Sequence, residues 1–426
     1  MTLSPSSAPF EPARFIRAGD GLIWGQACAE PVSLVSAVAR DRALIGPVSA
    51  FVGLSLSDAL APEHTDVISV SSYGAMGTTA RLMKAGALAI RPCLYSALPG
   101  LIETGAIPAD VVLIQVSPPG PDGTHSLGMC ADLLPAAMRR ARVVIAEINS
   151  NVPWTRMAAP LDESRIAFTT ISDAPLPELA PRPPGEVERR IAAHAAAEIP
   201  ERATLQYGIG AVPVAILDAL GGHRDLGIHS GLATDQLVDL VEAGAVTNAR
   251  KRTHAGISIV GTVIGGAKIR RFLHDNPAVE LHPIESTHGP AALAALGNLV
   301  AINSALEVDI RGQANAEVAG ARYLGGIGGQ VDYMTAASSQ AQGISIIAMP
   351  STDAKSGRSR IVSTLEGRLV TTSRAAVDMV ITEHGAADLR GATEAGAARA
   401  LIAIAAPEHR EALARAAHGA GLEGRS

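Results

Sequence analysis

Aromatic side chains are scarce in this chain of 426 residues, and no long run of basic residues occurs. Phenylalanine, tryptophan and tyrosine together make up 3%, which leaves little surface on which nucleic-acid bases could stack. The formal net charge is −6, so the chain lacks the basic footprint that a phosphate backbone requires. We therefore expect a small-molecule ligand and no nucleic acid.

Cysteine is equally rare. Cys28, Cys93 and Cys130 lie far apart and form no CxxC pair, a spacing that suggests neither a zinc site nor a disulfide framework. Free cysteine is commonly buried as a small apolar residue, which is the simplest expectation for these three.

Two further motifs are missing. The histidines show no metal-ligand spacing such as HExxH, so we expect no metal. Those considered as ligands are His229, His254, His282 and His288. No G-x-S-x-G sequence occurs, which excludes the nucleophile elbow of an α/β-hydrolase.

Long apolar runs are also lacking. No uninterrupted run approaches the roughly 20 residues that a helix needs to cross a bilayer. The segment from Met1 to Phe10 is polar and proline-rich and has no apolar signal core. We expect a soluble, cytoplasmic protein that does not enter a membrane.

The composition is that of an ordered, loop-rich globular protein: 47% hydrophobic and 18% charged, with 42 glycines and 27 prolines. The chain is too long for one average domain and long enough for two. Five prolines lie between Asp173 and Glu186, where they interrupt helices and strands alike. We predict domains at residues 1–185 and 186–426.

Short Val- and Ile-rich runs alternate with Ala-rich stretches of helical period in both halves. This alternation predicts an α/β fold with parallel sheets covered by helices. In the first half the strands are Asp110–Gly120 and Ala141–Asn149, with a helix around Asp132–Arg142 between them. In the second half the strands are Thr204–Gly210, Leu299–Ile310, Ile344–Pro350 and Asp378–Gly385. Ligands of open α/β sheets bind beyond the carboxyl ends of the strands, so we expect site residues in the turns there.

The first such turn is Tyr207-Gly-Ile-Gly-Ala-Val-Pro213, which follows a strand and precedes an apolar helical run. Gly208 and Gly210 allow a tight turn whose N–H groups face a phosphate or an oxyanion. The third glycine of a dinucleotide fingerprint is missing. An ordinary strand-to-helix turn is the alternative.

The second turn, Gly325–Gln330, has four glycines in five residues. Glycine at this density costs backbone entropy that a simple turn seldom requires. We interpret this loop as one that closes over a substrate, and a surface connection is the alternative.

Two segments place carboxylates where they could take part in chemistry. From Val300 to Ile310 apolar residues alternate with Asn303, Glu307 and Asp309, so one face is core and the other lines a cleft or meets solvent. Glu383 lies in the turn of ITEHG at a strand end, as a site residue or a helix-capping partner.

Several segments of the chain form a characteristic set. They are Leu226–Lys251, Ala301–Glu317, Gly325–Tyr333, Ser359–Val362 and Val380–Gly391, with Trp24–Pro31 and Asp110–Gly128 in the first half. Taken together, they resemble the acetyl-CoA hydrolase and 4-hydroxybutyrate CoA-transferase family of class I CoA transferases. The resemblance covers nearly all of the second half and continues more weakly in the first.

The resemblance implies two tandem open α/β/α domains with the active site in the cleft between them. It implies coenzyme A, as acyl-CoA, and a small carboxylic acid as substrates, no metal, and a ping-pong reaction through a glutamyl thioester. Ile209 and Gly329 would supply the N–H groups of an oxyanion hole, and Glu383 would help to hold the acyl carboxylate. The residues implied to bind the coenzyme are Gly208, Gly210, Gly326, Ile327 and Gly328. We also expect a homo-oligomer.

The sequence departs from the family pattern G-I-H-T-E at the nucleophile. The chain reads Gly227-Ile-His-Ser-Gly231, so Gly231 stands in the place of the glutamate. Three interpretations follow: an enzyme in which Glu307, or Glu383 as second choice, is the nucleophile or the base for water; an acyl-CoA-binding protein without transfer; or another reaction on acyl thioesters that uses the same oxyanion hole.

Overall fold

The computed structural model describes residues 9–179, 182–320 and 322–422, which form two compact units. The first unit contains the described residues up to 179 together with Gly231–Val238 and Ile257–Gly289. The second contains the remaining described residues, which come before, between and after those two segments in the sequence. The predicted domains are each continuous in sequence, whereas the first compact unit also includes two segments from beyond residue 185. The division after residue 185 therefore stays a prediction.

Residues 9–179 form seven strands and five helices. The strands are β1 Gly21–Trp24, β2 Val48–Phe51, β3 Ile68–Ser72, β4 Leu88–Ile90, β5 Val111–Val116, β6 Val143–Asn149 and β7 Ile166–Ser172. The helices are α1 Val32–Arg40, α2 Arg42–Ile45, α3 Thr79–Lys84, α4 Leu98–Glu103 and α5 Leu134–Arg140.

These seven strands form one sheet in the order β4-β3-β2-β1-β5-β6-β7, and every pair is parallel. All six residues of β5 are buried, as expected for a central strand that is covered on both faces. The predicted strands around β5 and β6 and the helix α5 between them are confirmed, and so is the parallel α/β class.

The rest of the chain forms thirteen strands and nine helices in the described residues. The strands are β8 Thr204–Tyr207, β9 Gly227–Ala233, β10 Ser258–Val263, β11 Val279–Leu281, β12 Leu299–Asn303, β13 Glu307–Asp309, β14 Ala314–Asn315, β15 Val318–Ala319, β16 Arg322–Tyr323, β17 Ile344–Ala348, β18 Ile361–Val362, β19 Met379–Thr382 and β20 Gly385–Asp388. The helices are α6 Glu186–Glu198, α7 Ala211–Ala219, α8 Asp235–Glu242, α9 Ala267–Leu273, α10 Ile284–Thr287, α11 Pro290–Ala294, α12 Gln330–Ser338, α13 Glu394–Ala403 and α14 Pro407–Gly419.

In the second unit β8, β12, β17 and β19 are neighbours in that order and run parallel, and β20 closes the edge antiparallel to β19. All residues of these four parallel strands are buried. Three of the predicted strands correspond to β8, β17 and β19. Helix α6 begins at Glu186, directly after the prolines, where Glu188 accepts a hydrogen bond from the N–H of Gly185 at 3.0 Å.

The prediction of one strand from Leu299 to Ile310 is wrong. The segment forms β12 in the large sheet and then β13, which pairs with β14 and β18 in a separate three-stranded sheet. The alternating pattern was misleading because every residue of β12 is buried, and in the short β13 only Glu307 is partly exposed.

Helix α12 runs antiparallel to the strand on which it packs. The N–H of Leu299, at the start of β12, donates to Oε1 of Gln340, just after the end of α12, at 3.0 Å. The C-terminal end of the helix therefore meets the amino end of the strand. The beginning of α12, with its glycine loop, lies toward the carboxyl edge of the sheet.

None of the helices in the described ranges is sufficiently long and apolar to cross a membrane. Within the same ranges no group of three or more His, Cys, Asp or Glu side chains is arranged to hold a metal ion. Cys28 and Cys130 are buried, as expected, whereas Cys93 is partly exposed.

Candidate active site

The glycine turn after β8 lies at the carboxyl edge of the sheet of the second unit. Gly210 has φ 118° and ψ 173°, a conformation that is open essentially to glycine alone. Gly208 donates its N–H to the carbonyl oxygen of Ile302 on the neighbouring β12 at 3.1 Å. The side chain of Ile209 is 40% exposed. The turn is thus anchored to the sheet at one end and open at its tip.

An amide pair lies beside this turn. Nδ2 of Asn303 donates to Oε1 of Gln206 at 3.0 Å, and Nε2 of Gln206 approaches Oδ1 of Asn303 at 3.4 Å. A Cβ built on Gly208 would lie 3.7 Å from Oδ1 of Asn303. The adjacent Ser304 has a buried Oγ with no hydrogen-bond partner among the described residues. The end of β12 therefore presents buried polar atoms next to the glycine turn.

The loop from Gly325 to Gln330 leads into α12. Gly328 has φ +54°, and Gly329 is the N-cap residue of the helix with φ −84° and ψ −3°. Gly326, Ile327 and the two following glycines are half-buried. Gly329 has angles that any residue can adopt, so the conformational requirement for glycine in this loop falls on Gly328.

Glu383 follows β19 at the same edge and is 7% exposed. The hydroxyl of Ser351 donates to its Oε1 at 2.6 Å, and the N–H of Ser351 donates to its Oε2 at 2.9 Å. His384 Nε2 lies 3.6 Å from Oε1. The carboxylate is therefore fixed by donors from the end of the neighbouring β17. Sequence analysis missed Ser351, although its position directly beyond a buried strand could have indicated it.

Glu307 lies in a different place, on β13 of the small sheet. Its Oε1 is 2.5 Å from Nη1 of Arg368, and Nδ2 of Asn315 approaches its Oε2 at 3.3 Å. Glu383 and the glycine turn after β8 thus lie at one carboxyl edge of the parallel sheet, with β12 and β17 between their strands, and α12 directs its glycine loop toward that edge. The carboxylate of Glu307 instead contacts Arg368 and Asn315.

Gly231 is covered by a histidine within the first unit. A Cβ built on Gly231 would lie 2.5 Å from Cε1 and 2.7 Å from Nε2 of His288, distances that real Cβ contacts do not show. His288 is 4% exposed, and its ring packs against that of Tyr95 with centroids 4.7 Å apart and the ring planes tilted by 49°. A glutamate at position 231 would therefore have to displace a packed imidazole.

Behind this pair lies a buried polar cluster. The hydroxyl of Tyr95 donates to Oδ2 of Asp132 at 2.5 Å, the hydroxyl of Thr262 donates to the same atom at 2.9 Å, and Nε2 of Gln26 also approaches it. Burial raises the pKa of the Asp132 carboxyl, while the hydrogen bonds from Tyr95, Thr262 and Gln26 oppose that rise. Burial likewise raises the pKa of the Tyr95 hydroxyl, so this group stays a donor.

Comparison with known proteins reveals similarity over almost the entire chain. Residues 7–163 match the acetyl-CoA hydrolase/transferase N-terminal domain, and residues 265–417 match the C-terminal domain of the same name. The 4-hydroxybutyrate coenzyme A transferase of Clostridium kluyveri is 36% identical over 401 residues, which cover 92% of each chain.

Solved structures agree with this match. The structure of RipA from Yersinia pestis superposes with a TM-score of 0.89 at 30% identity and covers 97% of both chains. The 4-hydroxybutyrate CoA-transferase of Porphyromonas gingivalis gives a TM-score of 0.81 at 33% identity, covering 96% of this chain and 95% of that one. With both family domains present in order and a relative at 36% identity over nearly its whole length, the chain belongs to the acetyl-CoA hydrolase/transferase family.

Proposed function

We propose that the protein is an enzyme that cleaves acyl-CoA thioesters. It transfers either the acyl group to water or coenzyme A to another carboxylic acid. The observation that supports this most strongly is that the glycine turn after β8 and the buried Glu383 after β19 lie at the same carboxyl edge of a parallel sheet. Relatives of the chain include both named CoA transferases and named acetyl-CoA hydrolases.

The glycine loops provide the backbone hydrogen-bond donors of the proposed site. Thioester cleavage places negative charge on the carbonyl oxygen, and preorganised N–H groups stabilise that charge. The N–H groups of Ile209 and Gly329 are the proposed donors. Gly329 caps the N-terminus of the nine-residue α12, whose dipole favours an anion there. Gly208, Gly210, Gly326, Ile327 and Gly328 let the backbone approach the coenzyme closely.

Glu383 is the proposed carboxylate of this site. Its location at the carboxyl edge of the sheet and its two hydrogen bonds from Ser351 support a role in orienting the acyl or acceptor group. Glu307, our first choice from the sequence, has less support as nucleophile or base, because Arg368 and Asn315 engage its oxygens in a separate sheet.

Hydrolysis is favoured over transfer because Gly231 has no side chain and is covered by His288. The position has no carboxylate that could carry the coenzyme covalently, and the imidazole of His288 leaves no room for one. Transfer would then need a carboxylate elsewhere. An acyl-CoA-binding protein without turnover is the remaining alternative. Function as a homo-oligomer in the cytoplasm, without nucleic acid, stays a prediction.

Turnover of acetyl-, butyryl- and succinyl-CoA, with and without an added carboxylic acid, tests the proposal. Release of free thiol without an acceptor would support hydrolysis, and a new acyl-CoA that appears only with the acceptor would support transfer. A ligand that binds only the folded state raises its stability. A rise in melting temperature with acyl-CoA but without turnover would therefore favour binding alone. The absence of both turnover and a rise in melting temperature would refute the proposal.

A further inference from the structure

Both ends of the glycine loop Gly325–Gln330 are connected by side-chain hydrogen bonds to one dipeptide, Thr371–Thr372. We propose that Thr371–Thr372 is the fixed support of this loop, and that Glu317 and Gln330 are the positioning residues that attach the loop to it. The inference rests on the proposed function, in which Gly329 of this loop is an oxyanion donor. All of these residues lie in the second unit.

The support is a buried segment of backbone that pairs with β14. The N–H of Thr371 donates to the carbonyl oxygen of Ala314 at 2.8 Å, and the N–H of Ala314 donates to the carbonyl oxygen of Thr372 at 3.0 Å. Thr371 is 8% exposed, and Thr372 and Ala314 are completely buried. A buried, hydrogen-bonded segment opens less often than an exposed loop, so this dipeptide is a suitable fixed point.

Glu317 attaches the beginning of the loop. The hydroxyl of Thr371 donates to Oε1 of Glu317 at 2.8 Å and accepts from the N–H of Ala316 at 2.9 Å. The carbonyl oxygen of Glu317 accepts from the N–H groups of Leu324 at 2.8 Å and Gly325 at 3.2 Å. Glu317 therefore joins the support through its side chain and the loop through its backbone.

A tyrosine completes this attachment. The hydroxyl of Tyr323, at the end of β16, donates to Oε2 of Glu317 at 2.9 Å, so both oxygens of this buried carboxylate accept a hydrogen bond. Burial, together with the hydrogen bond to Glu317, raises the pKa of the Tyr323 hydroxyl to about 12, which keeps this group a donor at neutral pH. A Cβ built on Gly325 would lie 2.4 Å from the carbonyl oxygen of Ala316, so the loop begins in direct contact with the backbone before Glu317.

Gln330 attaches the end of the loop. It is the first residue of α12, and its Nε2 donates to Oγ1 of Thr372 at 3.0 Å. Gly329, the N-cap residue of the helix, directly precedes it, so the direction of the Gly329 N–H depends on where Gln330 is held. Displacement of an active-site group by about 1 Å can lower the rate by about 10²-fold. The attachments thus influence the reaction without touching the substrate.

The test replaces each threonine of the support by valine and by serine. Valine keeps the branched shape but lacks the hydroxyl, whereas serine keeps the hydroxyl. The matched control is Thr204→Val at the start of β8, where the buried hydroxyl donates to Oδ1 of Asn298 at 2.9 Å. Turnover of acetyl-, butyryl- and succinyl-CoA is measured with and without added acetate or butyrate.

We expect kcat to fall by about 10- to 10²-fold in Thr371→Val and Thr372→Val, with little change in KM, because an oxyanion donor acts mainly in the transition state. The two serine variants and the control should stay within about threefold of the unaltered protein. Recovery by serine separates the role of the hydroxyl from a general effect of changing these positions.

Hydrogen–deuterium exchange gives a second measurement that does not depend on activity. The backbone amides of residues 325–330 should exchange faster in both valine variants than in the serine variants, the control or the unaltered protein, because a released loop opens more often. Faster exchange confined to this loop distinguishes a lost attachment from a general loss of stability, which would accelerate exchange throughout the second unit.

If the unaltered protein is active and either valine variant keeps its kcat within about threefold, the positioning role is overturned and the proposed function stands. An equal fall in the valine and serine variants also overturns it. Loop exchange that is the same in all proteins overturns the attachment, whatever the activity. Absence of turnover in the unaltered protein, with every acyl-CoA tried, refutes the proposed enzyme activity, and the exchange measurement still decides the attachment.

Discussion

Ser351 holds both carboxylate oxygens of Glu383, with its hydroxyl 2.6 Å from Oε1 and its N–H 2.9 Å from Oε2. The two residues follow the adjacent parallel strands β17 and β19. This relationship depends on strand pairing and fixes a carboxylate at the sheet edge where the glycine loops lie.

Glu383→Gln should fold normally yet lose most of its activity. The amide oxygen can accept from the Ser351 N–H, and the Ser351 hydroxyl can rotate to accept from the amide NH₂, so the contacts survive while the charge is lost. We expect kcat/KM to fall by about 10²-fold or more, as is common when one preorganised polar group of an active site is removed.

Glu307→Gln is the matched comparison for that variant. Its carboxylate is paired with Arg368 in the small sheet, so we expect activity within a few-fold and a modest loss of stability. Steady-state kinetics and thermal unfolding of both variants check this. A large loss of activity in Glu307→Gln but not in Glu383→Gln would support Glu307 as the nucleophile or base.

Gly328→Val should impair the loop before α12 more than Gly329→Ala. Gly328 has φ +54°, where a β-branched residue is strained by about 1–3 kcal/mol, whereas Gly329 has helical angles. Loss of an aligned oxyanion donor costs about 10²-fold in rate. We expect that fall for Gly328→Val and near-normal turnover for Gly329→Ala. Equal activity of the two folded variants would show that the loop is only a connection.

Gly231→Glu should be destabilised, because its side chain must displace His288. Overpacking of this kind typically costs about 1–3 kcal/mol. The double variant Gly231→Glu/His288→Gly should recover part of the loss, since it opens the space that the new side chain needs. Urea unfolding of the two single variants and the double variant gives the coupling free energy, and additive effects would argue against the steric conflict.

The same double variant also tests the chemistry of position 231. If the glutamate restores the family's route, incubation with acyl-CoA should leave a coenzyme A adduct on the double variant, visible by mass spectrometry, and none on the unaltered protein. An adduct on the unaltered protein would place a covalent nucleophile elsewhere.

Asp132→Asn should change how stability depends on pH. Burial raises the pKa of the folded Asp132 carboxyl from its ordinary value of 3.8, so the native state binds more protons than the unfolded state above that pH. The contribution of Asp132 to stability is fully present below the unfolded pKa and is lost as pH rises through the raised folded pKa. The asparagine variant lacks this loss.

Urea unfolding of both proteins between about pH 4 and pH 8 measures the difference. The free energy of unfolding of Asp132→Asn minus that of the unaltered protein should become more positive as pH rises. The other buried carboxyls with raised pKa values, Glu30 and Glu147, are present in both proteins and cancel in this comparison. Parallel curves would contradict a raised pKa at Asp132.

Local pattern was sufficient to locate several central strands of the two large sheets. The continuous apolar runs of β5, β6, β17 and β19 have turn residues at both ends, and strands buried on both faces carry that signal within a few residues of sequence. The pattern failed between Leu299 and Ile310 because the chain leaves one sheet for another there. Hydrophobic alternation does not reveal which strand is the partner.

The sequence by itself determined the α/β class, the family segments, the two glycine loops and the absence of a carboxylate at Gly231. Each of these depends on residue types or on neighbours along the chain. Only the tertiary structure decided that Glu383 shares an edge with the loops, that Arg368 engages Glu307, and that His288 fills the space above Gly231. These relationships join residues distant in sequence, and their distances are set by strand order and side-chain packing, which no local pattern encodes.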